Sequence, residues 1–308
     1  MDKKHYVAVV GATGKQGGSV ARYLAQYTPF EVRGLTRNPN SKAAQELKRL
    51  GIEVFQCDID EPASLDRALE GMYGFFITTD YYQPETLANP QHEIEQGKRM
   101  ADAAKRAQIK HVIHSSLPST SQISQGKYND VYHFDNKAKI TDYLYSLSLP
   151  VTVVRYGFYM SNWVDMPQTF QPDPNTAGGY CVGVPVSSQT QVPLFDTVDD
   201  GGSCVGYCFL NPRETIGKTY DLAYSYKSFD QMAQIMSKRA GVPIRAVQLD
   251  EQAIAQHPLY QNHEILRMFQ FFSEYHQFTD ESLYKTRETF GGLTEFGAYL
   301  TQIEWKLK

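Results

Sequence analysis

A run of glycines near the amino terminus constrains the fold more than any other feature of this chain. Gly11, Gly14 and Gly17 stand three residues apart, directly after the apolar run Val7–Val10 and before a helix-forming segment. Glycine allows a turn with positive φ and lets a pyrophosphate approach the main chain. A helix starting there directs unpaired N–H groups at the anion. The pattern predicts a dinucleotide site, with an ordinary β–α turn as the alternative.

The net charge and the apolar runs of the chain argue against a nucleic-acid-binding protein and a membrane-spanning protein. It has 308 residues and a net charge of −4, which argues against a nucleic-acid partner because such a partner requires a basic face. No apolar run is long enough for a membrane helix. We therefore expect a cytoplasmic protein, with the nucleus as an additional location.

Cysteine and histidine spacing does not suggest a metal centre. The four cysteines lack CxxC spacing and are interpreted as small buried hydrophobes in a reducing compartment: Cys57, Cys181, Cys204 and Cys208. His111 and His114 lie in a strand-like run, where their odd spacing sends them to opposite faces. We predict no metal site.

Apolar runs alternate with helical patterns through the first half of the chain. The predicted strands are Tyr6–Val10, Glu31–Leu35, Ile52–Gln56, Gly74–Thr78, His111–Ser115 and Val151–Arg155, and the helices between them are 16–26, 41–50, 62–70, 91–108 and 134–148. Such alternation indicates βαβ units. We predict an α/β fold with a doubly wound parallel Rossmann sheet over 1–157 and a smaller, mixed C-terminal lobe over 158–308. The alternative is that later strands return to the main sheet.

The second half is less regular. We predict a loop over Ser161–Gly179 with a helical turn near Trp163, strands at Tyr180–Val186, Gln191–Phe195 and Lys218–Leu222, and helices at Val198–Leu210, 228–240, 250–256, 261–277 and 294–304. One of these helices carries an apolar stripe of Ile265, Met268, Phe269, Phe272 and Tyr275. Phe271 lies off the stripe and is predicted to be an exposed contact. Trp163 and Phe170 are candidates for a cleft or an interface.

The residues after the second strand favour NADP(H) over NAD(H). NAD-specific proteins place an acidic residue there, about 20 residues after the glycines. This chain has Arg37, followed by Lys42, and Lys15 lies in the glycine turn. A guanidinium can bind the 2′-phosphate with two parallel hydrogen bonds, whereas a carboxylate would repel it. A solvated basic loop is the alternative.

Two other strand ends should complete the cofactor site. Asp58, with Ile59, follows the third strand and could accept a hydrogen bond from the adenine amino group, although an Asx turn is the alternative. Thr79–Tyr81 follow the fourth strand at the carboxyl edge, where open α/β sheets bind ligands.

The catalytic groups of a dehydrogenase are only partly present. Ser115 ends the fifth strand, and His133 and Lys137 share a face of the next helix. Short-chain dehydrogenases hold a tyrosine and a lysine at this spacing. Tyr132 and Tyr128 do not project from the face that Lys137 uses. His133, Lys137 and Ser115 are therefore only weak catalytic candidates.

Several motifs together resemble the NmrA-like family of atypical short-chain dehydrogenases. They are the glycine turn Gly11–Arg22, Thr36–Pro39, His133–Lys137 and Arg155–Asn162. The resemblance implies that the turn binds the pyrophosphate, Arg37 the 2′-phosphate and Lys137 the ribose. Together with the strand ends, the predicted cofactor site comprises Gly11, Ala12, Thr13, Gly14, Lys15, Gln16, Gly17, Arg37, Lys42, Asp58, Ile59, Thr79, Asp80, Tyr81, Lys137, Tyr156, Gly157 and Phe158. A contact at Glu95 is not expected, because the redox-sensing member of the family has lysine there.

The family resemblance also carries an expectation about function. Members typically lack the catalytic tyrosine, and the best studied are regulators. We therefore predict an NADP(H)-binding redox sensor that acts through a protein partner or a homodimer. The alternative is an NADPH-dependent oxidoreductase of a quinone or another carbonyl compound. In the sensor, the ammonium of Lys137 would repel the positively charged oxidised ring and favour NADPH.

Overall fold

The computed structural model describes residues 5–165 and 170–307. Residues 1–4, 166–169 and 308 lie outside it. The middle of the predicted loop Ser161–Gly179 and the ends of the two predicted domains therefore fall outside the described residues.

Strands and helices alternate as the sequence pattern predicts. The strands are β1 Tyr6–Val9, β2 Glu31–Thr36, β3 Glu53–Gln56, β4 Gly74–Ile77, β5 His111–Ser116, β6 Val151–Tyr156, β7 Phe158–Tyr159, β8 Phe170–Pro172, β9 Tyr180–Val184, β10 Gln191–Phe195, β11 Thr219–Leu222, β12 Ser225–Ser228 and β13 Ile244–Gln248. The helices are α1 Lys15–Tyr27, α2 Lys42–Arg49, α3 Pro62–Leu69, α4 Pro84–Ala88, α5 Gln91–Arg106, α6 Thr120–Ile123, α7 Tyr132–Ser146, α8 Asn162–Asp165, α9 Asp200–Leu210, α10 Pro212–Thr215, α11 Phe229–Ala240, α12 Glu251–Gln256, α13 His263–Glu274, α14 Asp280–Phe290 and α15 Phe296–Gln302.

The main sheet has the strand order β11-β6-β5-β4-β1-β2-β3. Its strands run parallel, as in the pairs β1–β2, β1–β4 and β5–β6. The order reverses between β1 and β4, the switch point at which open α/β sheets bind ligands. The predicted fold class is thus confirmed, and the late strand β11 joins the edge of the main sheet.

The chain forms two compact units, and both are discontinuous in sequence. The first takes the described parts of Met1–Ser119, His133–Arg155 and Thr197–Tyr220, and the second takes those of Thr120–Tyr132, Tyr156–Asp196 and Asp221–Lys308. The predicted boundary between a Rossmann domain over 1–157 and a lobe over 158–308 remains a prediction.

The two histidines of β5 identify the opposite faces of the main sheet. The His111 ring meets the Phe209 ring of α9 edge-on, with centroids 5.2 Å apart. His114 Nδ1 lies 3.1 Å from the hydroxyl of Thr141 in α7. The face that carries α3, α5 and α7 holds a large apolar core, in which residues such as Phe75, Met100 and Ile140 are buried. Burial of this surface is the main favourable term in folding.

The second unit contains two small mixed sheets with the orders β12-β10-β7 and β13-β9-β8. In each, one pair is parallel and the other antiparallel. The prediction that Phe271 is exposed was wrong, because its side chain is fully buried and its ring stacks on Tyr275 with centroids 5.6 Å apart. Trp163 and Phe170 are also buried, against the rings of Phe229 and Trp305 respectively.

In the residues that the structure describes, no helix is both long and apolar enough to cross a bilayer. No group of three or more His, Cys, Asp and Glu side chains within 5–165 and 170–307 is arranged to hold a metal ion.

Candidate dinucleotide site

The glycine turn has a backbone that only glycine fits at two positions. Gly11 has a φ of +63°, and the Gly14 N–H donates to its carbonyl oxygen over 2.8 Å. A Cβ at Gly17 would lie 2.3 Å from the Val10 carbonyl oxygen and 2.4 Å from that of Gly11. No side chain caps α1, and no acidic residue lies in its first turn. This arrangement suits an anion at the helix N-terminus.

Gln16 fastens the glycine turn to the ends of two neighbouring strands. Its Oε1 accepts from the hydroxyl of Thr78 over 3.0 Å and from that of Ser115 over 2.8 Å. Ser115 is buried, so its hydroxyl serves to hold the turn against β5. This contact makes Ser115 a support for the turn in the structure.

Two cations after β2 are available for a phosphate. Arg37 and Lys42 are both exposed, and among the described residues neither has a hydrogen-bond or ion-pair partner. The Ser41 side chain caps α2 by accepting from the Ala44 N–H, which fixes Lys42 at the first helical position. A guanidinium and an ammonium in this state are available to an anionic group, and their contact with a 2′-phosphate remains a prediction. Lys15, in the glycine turn itself, is also exposed.

A cavity of about 310 Å³ lies between the glycine turn and α2. Its wall includes Thr13 of the turn, Arg22 of α1 and Arg49 of α2, together with the carboxylate-bearing Glu46. Sequence reasoning did not select Arg22, because its position within α1 is indistinguishable from that of an ordinary solvated residue.

The predicted site residues that follow β3 and β4 make contacts within their own loops or with the core. The Oδ1 of Asp58 accepts from the Asp60 N–H over 3.0 Å, which is the Asx turn given as the alternative. Ile59 is half-buried against the apolar core. The exposed Asp80 accepts from the Tyr82 N–H over 3.0 Å.

His133 lies in an aromatic cluster. Its ring centroid is 4.8 Å from that of Phe134, 5.7 Å from that of Tyr81 and 6.0 Å from that of Tyr82. His133 and Tyr81 are both buried. The cluster brings Tyr81, predicted at the cofactor site, together with His133, the histidine predicted to take the place of the dehydrogenase tyrosine.

Lys137 has a partner that sequence reasoning missed. Its ammonium forms a buried ion pair with Oε1 of Glu93 in α5. The same oxygen accepts from the Thr79 hydroxyl over 2.6 Å. A signal was present in the sequence: Glu93 shares a helical face with Gly97, Met100 and Ala104 at core spacing, and a carboxylate at a core position requires a buried cation.

Neighbouring His114 is neutral because of its surroundings. Burial, followed by the charge of Lys137, lowers the pKa of His114 to about 3. His114 Nε2 is buried without a hydrogen-bond partner among the described residues. Lys137 is thus paired with Glu93 and lies near an imidazole that is uncharged at neutral pH.

Tyr156, Gly157 and Phe158 belong to the second unit. The Tyr156 carbonyl accepts from the Gln277 amide over 3.0 Å, and the Gly157 N–H donates to the Leu222 carbonyl over 2.9 Å. Phe158 begins β7, which pairs with β10. Their contact with the nicotinamide remains a prediction.

Known proteins share this architecture. The model of the NmrA-like family matches residues 3–300. The chain belongs to the NmrA-like family. A family member from Dictyostelium discoideum is 29% identical over 315 residues, covering all of both chains. An NmrA-like domain-containing oxidoreductase of a Cladobotryum species, FrzB, is 31% identical over 252 residues, or 78% of this chain and 74% of that protein.

Solved structures of NmrA give the same fold. A doubly substituted mutant of NmrA superposes with a TM-score of 0.83 at 25% identity, over 98% of this NmrA-like chain and 97% of the mutant. NmrA, called a negative transcriptional regulator, has been crystallised with NAD and with NADP, and these structures are 24% identical to the chain.

Proposed function

We propose that this NmrA-like protein binds NADP(H) and acts as a redox-responsive regulator through a protein partner or a second copy of itself, in the cytoplasm or the nucleus. The observation that carries the proposal is the buried His133 at the position of the dehydrogenase tyrosine, next to a lysine already paired with a carboxylate. The proposed cofactor site therefore has histidine where a short-chain dehydrogenase has its proton-donating tyrosine.

The residues present fit a dinucleotide phosphate. The glycine cradle, which a Cβ at Gly17 would fill, leaves room for the pyrophosphate beside the start of α1. Arg37 and Lys42 would hold the 2′-phosphate, and Lys137 the nicotinamide ribose. When bound, NADPH supplies a transferable hydride, and its ring is uncharged where that of NADP⁺ is cationic.

Tyrosines near His133 in sequence do not replace the missing acid. Tyr132 is exposed and five residues before Lys137, so it projects from another face of α7. In the second unit, the Tyr128 hydroxyl donates to Glu274 over 2.8 Å. Burial and this carboxylate raise the pKa of Tyr128 to about 12, which makes it a poor proton donor at neutral pH.

A second candidate function is NADPH-dependent reduction of a quinone or another carbonyl compound. Its support is that several relatives carry the name oxidoreductase, including NotA from an Aspergillus strain, which is 37% identical over 224 residues. A quinone needs little acid catalysis, so the missing tyrosine does not prevent its reduction.

A screen of NADPH oxidation over quinones and aldehydes separates the two functions. We expect no turnover above that of the same mixture without protein, while calorimetry on the same sample shows NADPH binding. Robust turnover that disappears in Lys137→Met would make the protein an oxidoreductase. Light scattering with and without each redox form then measures whether cofactor binding changes self-association.

A further inference from the structure

Glu93 is a buried carboxylate with one oxygen in use and one without a partner. Its side chain is 0% exposed, and Oε1 carries both the Lys137 ammonium and the Thr79 hydroxyl. Oε2 is buried and has no hydrogen-bond partner among the described residues. A buried, half-satisfied carboxylate is costly, and each such group in a native protein calls for an explanation.

The pair changes the charge at the cofactor lysine. A lone buried ammonium would repel the cationic ring of NADP⁺ and leave the neutral ring of NADPH unaffected. The Glu93 carboxylate cancels that charge from a contact distance. The sequence-based expectation that Lys137 repels NADP⁺ treated it as an unpaired charge, and the ion pair removes the basis of that repulsion.

We propose that Glu93 determines the redox preference of the cofactor site by neutralising Lys137, so that the protein binds NADP⁺ at least as tightly as NADPH. This inference rests on the proposed cofactor function. Glu93 is therefore a specificity residue that acts through the charge of Lys137. A purely structural ion pair would affect both redox forms alike.

The test is a calorimetric cycle on the full-length protein with NADP⁺ and NADPH. The variants are Glu93→Gln, Lys137→Met and the double variant, and the readout is the ratio Kd(NADP⁺)/Kd(NADPH). Losses of ribose contact or of general stability change both constants and cancel in this ratio. Glu93→Gln keeps an oxygen for the Thr79 hydroxyl, which protects the fold.

The two single variants should change the ratio Kd(NADP⁺)/Kd(NADPH) in opposite directions. The unaltered protein should give a ratio of about one or lower. Glu93→Gln exposes the ammonium to the ring and should raise the ratio about tenfold. Lys137→Met leaves the carboxylate alone and should lower the ratio, while the double variant should return to within about threefold of the unaltered protein.

Glu95→Gln is the matched control. Glu95 lies two residues along the same helix, but its side chain is exposed and its carboxylate is 3.6 Å from Arg99. Its ratio should equal that of the unaltered protein, because solvent screens an exposed charge. Equal ratios in Glu93→Gln and the unaltered protein, or a strong NADPH preference in the latter, would overturn the inference alone. Binding of neither form by the unaltered protein would overturn the proposed function as well.

Discussion

His114 shows how one buried residue links the fold to pH. Its pKa is lowered to about 3 by burial and by Lys137, against about 6.5 in an unfolded chain. Between these values the unfolded state binds the extra proton, so stability falls as pH falls from about 6.5 towards 3 and is fully present above about 7. Between pH 7 and pH 5, the titration of His114 alone should lower the free energy of unfolding by about 2 kcal/mol.

Urea unfolding of His114→Asn, followed by circular dichroism at both pH values, measures this contribution. Asparagine keeps a polar atom for the Thr141 hydroxyl but does not titrate, so the variant should lose less stability on acidification than the unaltered protein. His276→Asn is the control, because the His276 side chain is exposed. An unchanged pH dependence in His114→Asn would contradict the account of this residue.

At the scale of elements, helix α13 is buried on more than the predicted stripe. Phe269 and Phe272 of the stripe are buried, but so is Phe271, whose ring lies edge-on to Tyr128 at 5.7 Å. Arg267 adds a cation–π contact over the same Tyr128 ring at 4.4 Å. Hydrophobic periodicity identifies one apolar face of a helix. It does not show whether residues distant in sequence cover another face of the same helix.

Phe271→Ala should therefore cost about 3–5 kcal/mol, because it leaves a cavity in the second unit. Tyr284→Ala, at a side chain that is 58% exposed, should change stability by less than about 0.5 kcal/mol. Both tryptophans, Trp163 and Trp305, are buried in this unit, so their fluorescence reports its unfolding in urea. A loss below about 1 kcal/mol for Phe271→Ala would show that the site is not a packed core.

At the scale of the whole molecule, the sequence predicts the main sheet better than the rest. The βα repeat of the first half has a regular apolar pattern, and the six strands predicted from it were confirmed. β7, β8, β12 and β13 were not predicted, because they lie outside the βα repeat that identifies equally short strands such as β1 and β4. α14 was missed because only Leu283 and Thr286 are buried in an otherwise polar segment.

The site follows the same division between local pattern and tertiary contact. The glycine turn is a local pattern, and the positive φ that glycine allows there is found at Gly11. The Lys137–Glu93 pair joins residues 44 apart in sequence, on two helices that only the folded sheet brings together. Spacing along one helix identified Lys137, but it contained no information about the carboxylate that pairs with that lysine.

Calorimetric titration with NADPH and NADH tests the central claim most directly. The unaltered protein should bind NADPH more tightly, and Arg37→Ala should weaken NADPH about ten- to a hundredfold while leaving NADH nearly unchanged, because one charge-assisted fork contributes about 1.5–3 kcal/mol. Arg213→Ala, at an exposed arginine of α10, is the control. Tighter binding of NADH by the unaltered protein, or equal weakening of both cofactors in Arg37→Ala, would contradict an NADP(H) site.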